Sequence, residues 1–96
     1  MSRLELLRRL RDEIYRIAGK HNAEKVFVFG SCARNTETPD SDIDLLIEFN
    51  QTATLFDQLD IQNEVCSLLN CKVDVVSKRG LHPYLRRRVL EEAVEL

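Results

Sequence analysis

Asp42-Ile43-Asp44-Leu45-Leu46-Ile47-Glu48-Phe49 is the stretch that decides how this chain folds. Its side chains alternate with a period of two, the repeat of an extended strand. Ile43, Leu45, Ile47 and Phe49 share one face, and Asp42, Asp44, Leu46 and Glu48 share the other. The first face is uniformly apolar and suits a core. The second carries two carboxylates two residues apart, about 6–7 Å along the backbone. Neighbouring carboxylates repel, and one of them resists ionisation unless a cation neutralises the pair. A hard divalent ion with oxygen ligands is the natural partner. Taken alone, Asp-x-Asp more often caps a loop or ends a solvated strand. Asp40-Ser41-Asp42-Ile43-Asp44 also imitates the start of a calcium loop, but its sixth position is Leu45 instead of glycine and its twelfth is Gln51 instead of glutamate.

Upstream, Val26-Phe27-Val28-Phe29 is a β-branched and aromatic run ending at Gly30, and it reads as a buried strand. Residues 31–35 fit a brief helix, and residues 36–41, with Pro39, a loop. Before the strand, Leu4, Leu7, Leu10, Ile14, Ile17 and Ala18 recur at spacings of three and four, predicting one helix. Ser2 and Glu5 fit a capping box at its start, and Gly19 suits the left-handed position past its end. Downstream, residues 54–69 read as a helix with Thr54 as N-cap. Its broad apolar side is Leu55, Leu59, Ile61, Val65, Leu68 and Leu69, and Asn70 ends it. Lys72 to Val76 forms a third strand, with Val73 and Val75 facing one way and Asp74 and Val76 the other. Gly80 breaks the chain, and Pro83 opens a last helix with Leu85, Val89, Ala93 and Leu96 on one side. This order predicts an α/β domain over residues 1–96, a sheet of about three strands flanked by helices, with no second module.

Composition narrows the function classes. The 44% hydrophobic and 31% charged content is that of a soluble globular protein. The net charge of −2 lacks the basic excess expected of a protein held to nucleic acid mainly through phosphates, so nucleic acid is not expected as the main partner. Cys32, Cys66 and Cys71 are odd in number and irregularly spaced, which argues against a disulfide framework and suits reduced thiols in the cytoplasm. No run approaches the roughly 20 apolar residues of a membrane span, and no secretory signal core opens the chain.

A strand ending in Gly30-Ser31 before a short helix leaves backbone amides free to meet a phosphate. Glycine permits close approach, and the Ser31 hydroxyl adds a donor. Such a turn alone is a weak signal. In combination the residues are specific: Gly30-Ser31-Cys32-Ala33-Arg34, then Ser41-Asp42-Ile43-Asp44-Leu45, then a later strand bearing Asp74. This pattern resembles the DNA polymerase β-like nucleotidyltransferase superfamily. Length and element order resemble its smallest members, the MNT domain proteins. One departure is Asn35, where the family often has glycine; asparagine tolerates left-handed backbone angles.

The resemblance implies a small mixed sheet of the polymerase β palm type and a division of labour. Gly30 and Ser31 would grip the β- and γ-phosphates of a nucleoside triphosphate, ATP. Asp42 and Asp44 would hold magnesium, and Asp74 would complete a second magnesium site and help deprotonate the incoming hydroxyl. Arg34 belongs to the same cofactor-binding turn, with a structural pairing to the acidic loop ahead of direct phosphate contact. The chain has no room for the acceptor-binding domain of larger relatives, so the acceptor is expected on a partner or a second copy. In the MNT family that partner is a small helical HEPN ribonuclease toxin. The MNT protein is its antitoxin, transferring AMP to a toxin tyrosine. Two other readings stand beside this one: a non-catalytic antitoxin that neutralises its partner by binding, and transfer to a small molecule or RNA end.

Other residues read as structural. Cys32 is expected to be a small packing residue, Cys66 and Cys71 buried thiols, and His21 and His82 solvated or capping turn residues. Tyr84, Arg86, Arg87 and Arg88 read as a solvated helix face ahead of a docking patch for an acidic partner or RNA. Lys78 and Arg79 read as surface residues ahead of phosphate ligands. Arg3, Arg8, Arg9 and Arg11 read as a solvated face.

Overall fold

The computed structural model describes residues 2–34, Thr36 and 42–96. The chain runs α1 (Arg3–Arg9), α2 (Arg11–Lys20), β1 (Ala23–Phe29), α3 (Gly30–Ala33), β2 (Ile43–Phe49), α4 (Leu55–Leu69), β3 (Val73–Ser77), a 3-10 turn (Lys78–Gly80), α5 (Pro83–Glu92) and β4 (Val94–Glu95). The four strands form one sheet in the order β3-β2-β1-β4. β2 and β3 are parallel, because α4 crosses between them; β1 is antiparallel to both β2 and β4. The sheet is therefore mixed, and it has one strand more than expected.

Register explains the core. Val28 pairs with Leu45 and Val26 with Ile47, while Ile43 pairs with Val73 and Leu45 with Val75. All seven are buried, and they form one cluster with Leu4, Leu7, Ile14, Ala18, Ile61 and Val65 from the helices. Each fully buried aliphatic side chain contributes about 1.5–3 kcal/mol. The apolar face of β2 read from its alternation is thus the face the helices cover. On the opposite face Leu46 is also fully buried, between its neighbours Phe27 on β1 and Val76 on β3.

Helix ends follow local chemistry. The Ser2 hydroxyl accepts from the Glu5 amide at 3.1 Å, the serine half of the expected capping box. At α4, the Asp57 carboxylate accepts from the Thr54 backbone amide at 2.8 Å, and Asn70 closes the helix in the left-handed region at φ 51. His82 caps α5, its Nδ1 accepting from the Tyr84 amide at 3.1 Å.

Several expectations are corrected. The first helix is two, broken at Leu10; apolar periodicity continues across the break and hides it. Gly19 is helical, and the left-handed residue is Asn22, at φ 63. Leu55 and Leu59 do not join the core: they are 68% and 46% exposed, beside Phe56 at 77%. The last helix ends at Glu92. Ala93 is its cap, and Val94 and Glu95 turn back along β1, which carries Leu96 into the core. The Arg11 Nε donates to the Leu96 carbonyl at 2.6 Å and fixes that return. Among the described residues no helix is long and apolar enough to cross a membrane.

Candidate active site

The register that builds the core also brings the acids together. Asp44 on β2 stands directly beside Asp74 on β3, because the parallel pairing is in step from Ile43 and Val73 onward. In-step residues on adjacent strands lie about 4.8 Å apart and project to the same face. Asp42 precedes Asp44 by two residues and shares that side. Asp74 is exposed and opposes the buried Val73 and Val75, so it does not point into the apolar layer. Asp42 is half-exposed, with Lys72 Nζ 3.8 Å from its Oδ2.

The glycine-serine turn meets this pair from the other side. Phe29, the last residue of β1, pairs with Asp44, and the chain turns at once into α3. Gly30 adopts φ +72, a region L side chains rarely enter. A Cβ at this position would lie 2.4 Å from Asp44 Oδ2. Glycine is thus required twice, by its own conformation and by the carboxylate packed over it. Ser31 follows, half-buried, with its carbonyl accepting from the Thr36 amide at 2.9 Å.

Electrostatics record the convergence. The Asp44 carboxyl is pushed above its ordinary value, first by burial and then by the charges of Asp74 and Asp42, while Arg34 pulls it down. Asp44 therefore senses both other acids, and Arg34 is a cation that offsets them there. Among the described residues no three acid, histidine or cysteine side chains are already gathered tightly enough to hold an ion. The donor set nonetheless fits a hard divalent cation: it is carboxylate oxygen throughout, and its mutual repulsion is what such an ion relieves.

Supporting residues are not obvious in the sequence. β3 is an edge strand, and its open side is closed by α4: the Gln58 Nε2 donates to the Val75 carbonyl at 2.9 Å, and the Gln62 Oε1 accepts from the Val75 amide at 3.1 Å. These bonds fix the backbone next to Asp74. The i, i+4 spacing of the glutamines was the available signal. The loop of residues 37–41, to which the resemblance ties Arg34, lies outside the described residues; the Arg34 Nη1 donates to Glu92 on α5 at 2.9 Å. A cavity of about 280 Å³ lies beside Asp42 and Asp74, lined also by Gln62, Asn63, Cys66 and Lys72.

Lys78 and Arg79 fall at the wrong end of the strands for phosphate. Ile47 pairs with Ser77, three rungs from the Asp44–Asp74 pair, or about 10 Å. Lys78 Nζ instead lies 3.7 Å from Glu48, and Arg79 borders a separate hollow of about 490 Å³ with Glu48, Phe49 and Asn50. That larger hollow holds none of the site acids. Cys32 is fully buried, as its packing role requires. Cys66 and Cys71 are half-buried, and burial pushes the Cys71 thiol up. His21 is more engaged than expected: its Nε2 bonds the Glu64 carboxylate, and its Nδ1 lies 3.9 Å from Asp57 and 3.8 Å from Asp60. Tyr84 and Arg86 to Arg88 are exposed along α5.

This mixed sheet, with acids on adjacent strands beside a glycine-serine turn, has the architecture of a nucleotidyl-transferring enzyme. Residues 7–96 match the nucleotidyltransferase domain family, and the chain belongs to it. It is 37% identical over 87 residues to a Methanocaldococcus jannaschii protein named "putative protein adenylyltransferase", across 91% of this chain and 94% of the other. With "Protein adenylyltransferase MntA" of Thermococcus cleftensis it shares 31% over 75 residues, 78% of this chain and 76% of the other. A solved "putative minimal nucleotidyltransferase" superposes with a TM-score of 0.88 at 44% identity, over 100% of this chain and 97% of that one. A chain in a Shewanella oneidensis complex of tri-AMPylated HEPN toxin with MNT antitoxin superposes at TM-score 0.66 and 19% identity, over 88% and 66%. At that identity the likeness is one of fold.

Proposed function

We propose that this one domain transfers AMP from ATP onto a tyrosine hydroxyl of a partner HEPN ribonuclease toxin, acting in the cytoplasm as its antitoxin. The observation that carries the reading is the in-step pairing of Asp44 with Asp74 beside the Gly30–Ser31 turn. The relatives named as protein adenylyltransferases and the fold shared with an MNT antitoxin support it.

The roles follow from position. Gly30 lets the turn approach the β- and γ-phosphates, and Ser31 donates to them. Asp42, Asp44 and Asp74 would hold two magnesium ions. When bound, these would supply positive charge to the α-phosphate oxygens and the departing pyrophosphate. Asp74, the most open of the three, accepts the proton of the incoming hydroxyl. The tyrosine oxygen attacks the α-phosphorus, the bond to the β-phosphate breaks, and pyrophosphate leaves. The protein's main contribution is alignment of the two reactants.

The test mixes the purified chain, magnesium, ATP labelled at the α-phosphate and, in turn, purified HEPN proteins from the same cell. Label on the toxin, lost when its acceptor tyrosine becomes phenylalanine, supports the proposal. No label on any HEPN protein sinks it. If Asp42→Asn with Asp44→Asn still protects cells as well as wild type, neutralisation is by binding alone.

A further inference from the structure

Glu92 is out of place by the rules of helix chemistry. It is the last residue of α5, where the helix dipole disfavours a negative charge. Its contact with Arg88, at 3.7 Å, runs from arginine to glutamate at i, i+4, the weaker of the two orientations. The first feature opposes α5 and the second adds little to it. What Glu92 does is reach 58 residues back to Arg34, whose Nη1 donates to its Oε2 at 2.9 Å. Its other oxygen faces Arg88, so the carboxylate itself is held between two guanidinium groups.

Arg34 is the residue that matters to the site. It caps α3, the short helix leaving Gly30 and Ser31, and α3 packs on β2. Its charge is felt at Asp44. Arginine has five N–H donors in a rigid fork, and the bond to Glu92 uses one nitrogen of the three. Among the described residues no other hydrogen bond of the fork competes with a phosphate oxygen. A free arginine on an exposed turn would sample many rotamers, and fixing it on binding would cost affinity.

We infer that Glu92 is a positioning residue: by holding Arg34 from α5, it presents the guanidinium beside the Gly30–Ser31 turn as a preformed contact for the triphosphate. This rests on the proposed nucleotide site, and it gives α5 a role in the chemistry in addition to its role as the link to β4.

The test measures binding of a non-hydrolysable ATP analogue with magnesium by calorimetry, on the full chain, together with melting temperature. Glu92→Gln keeps the shape and an acceptor but loses the charge. It should weaken affinity on the order of tenfold, the lower end for a lost charged hydrogen bond. Glu92→Asp should recover much of that loss. Arg34→Ala should weaken binding at least as much, and adding Glu92→Gln to it should change affinity less than twofold, because the glutamate acts only through the arginine. In the transfer assay the defect should fall on KM for ATP and leave kcat within about threefold. Wild-type affinity in Glu92→Gln, with only the melting temperature lowered, would show a structural role and overturn the inference. So would full additivity with Arg34→Ala, or a wild-type chain that binds no nucleotide. A chain that binds as expected yet labels no toxin would instead refute the acceptor and leave the role of Glu92 standing.

Discussion

Gly30→Ala is the sharpest single perturbation this fold offers. The new Cβ would lie 2.4 Å from Asp44 Oδ2, against an ordinary contact near 3.4 Å, so the carboxylate must retreat by about 1 Å. The backbone cannot yield instead without losing the pairing of Phe29 with Asp44 next door. Alanine at φ +72 adds about 1–2 kcal/mol of local strain. In a domain this small, 1 kcal/mol moves the melting temperature by about 4–8 °C, so the variant should melt roughly 5–15 °C lower and still fold. The catalytic loss should be larger: a displacement of about 1 Å in a positioned group costs on the order of 100-fold. Thermal denaturation followed by circular dichroism measures the first quantity, and α-phosphate transfer measures the second. Gly19→Ala is the matched control. No atom lies within 4 Å of its Cβ and the residue is helical, so alanine should stabilise by about 0.5–1 kcal/mol and leave transfer unchanged. A folded Gly30→Ala protein with transfer within threefold of wild type would refute the placement of Asp44 against this turn. Destabilisation by Gly19→Ala would show that Gly19 is left-handed after all.

Three further outcomes follow from the same contacts. The Asp44 carboxyl is raised by burial and by Asp74 and Asp42, so ionising it costs the fold stability that grows as pH rises through its folded value; Asp44→Asn should therefore melt no lower than wild type at pH 7 while abolishing transfer, both read on one preparation. Asp57 is held below the ordinary 3.8 by the Thr54 amide and then Asn22, so its contribution is complete above that value and disappears as pH falls through the lowered folded one; an acid melting series should show this limb, and Asp57→Asn should flatten it. Gln58→Ala with Gln62→Ala leaves both backbone groups of Val75 without their α4 partners, which should cost about 1–3 kcal/mol and speed exchange of the Val75 amide; unchanged protection would show that water replaces the glutamines at no loss.

The legible parts of this protein are those whose signal is local. β2 announced itself by alternation, and its bounds, its core face and the placement of Asp44 opposite that face all followed from a period of two. The Gly30–Ser31 turn was legible because it sits where β1 stops. What lay beyond reach was anything set by pairing across the sheet. Asp74 could be assigned to a strand, but its register against Asp44 depends on how α4 spans the crossover, and no run of residues encodes that. Leu10 shows a different failure, since apolar spacing persists through a break made by backbone geometry. β4 is two residues long, too short to alternate, so Leu96 read as the end of a helix when it enters the core from a strand. Glu92 and Arg34 are 58 residues apart, and no local pattern joins them.

The arrangement of charge along the strands explains why the chemistry sits at one end. The rungs Ile43–Val73 and Leu45–Val75 that face the helices are aliphatic, so ionic groups gather away from that face and towards the strand ends. At one emergence Glu48 meets Lys78 and the charges cancel. At the other, Asp42, Asp44 and Asp74 are brought together against Arg34 and Lys72, and Arg34 is shared with Glu92. That end retains net negative charge packed against a turn with little space, a costly state for a small fold. Its retention is consistent with the proposed nucleotide site, because repulsion between neighbouring carboxylates is what a bound cation relieves. An end designed only for stability would have been neutralised as the Glu48 end is.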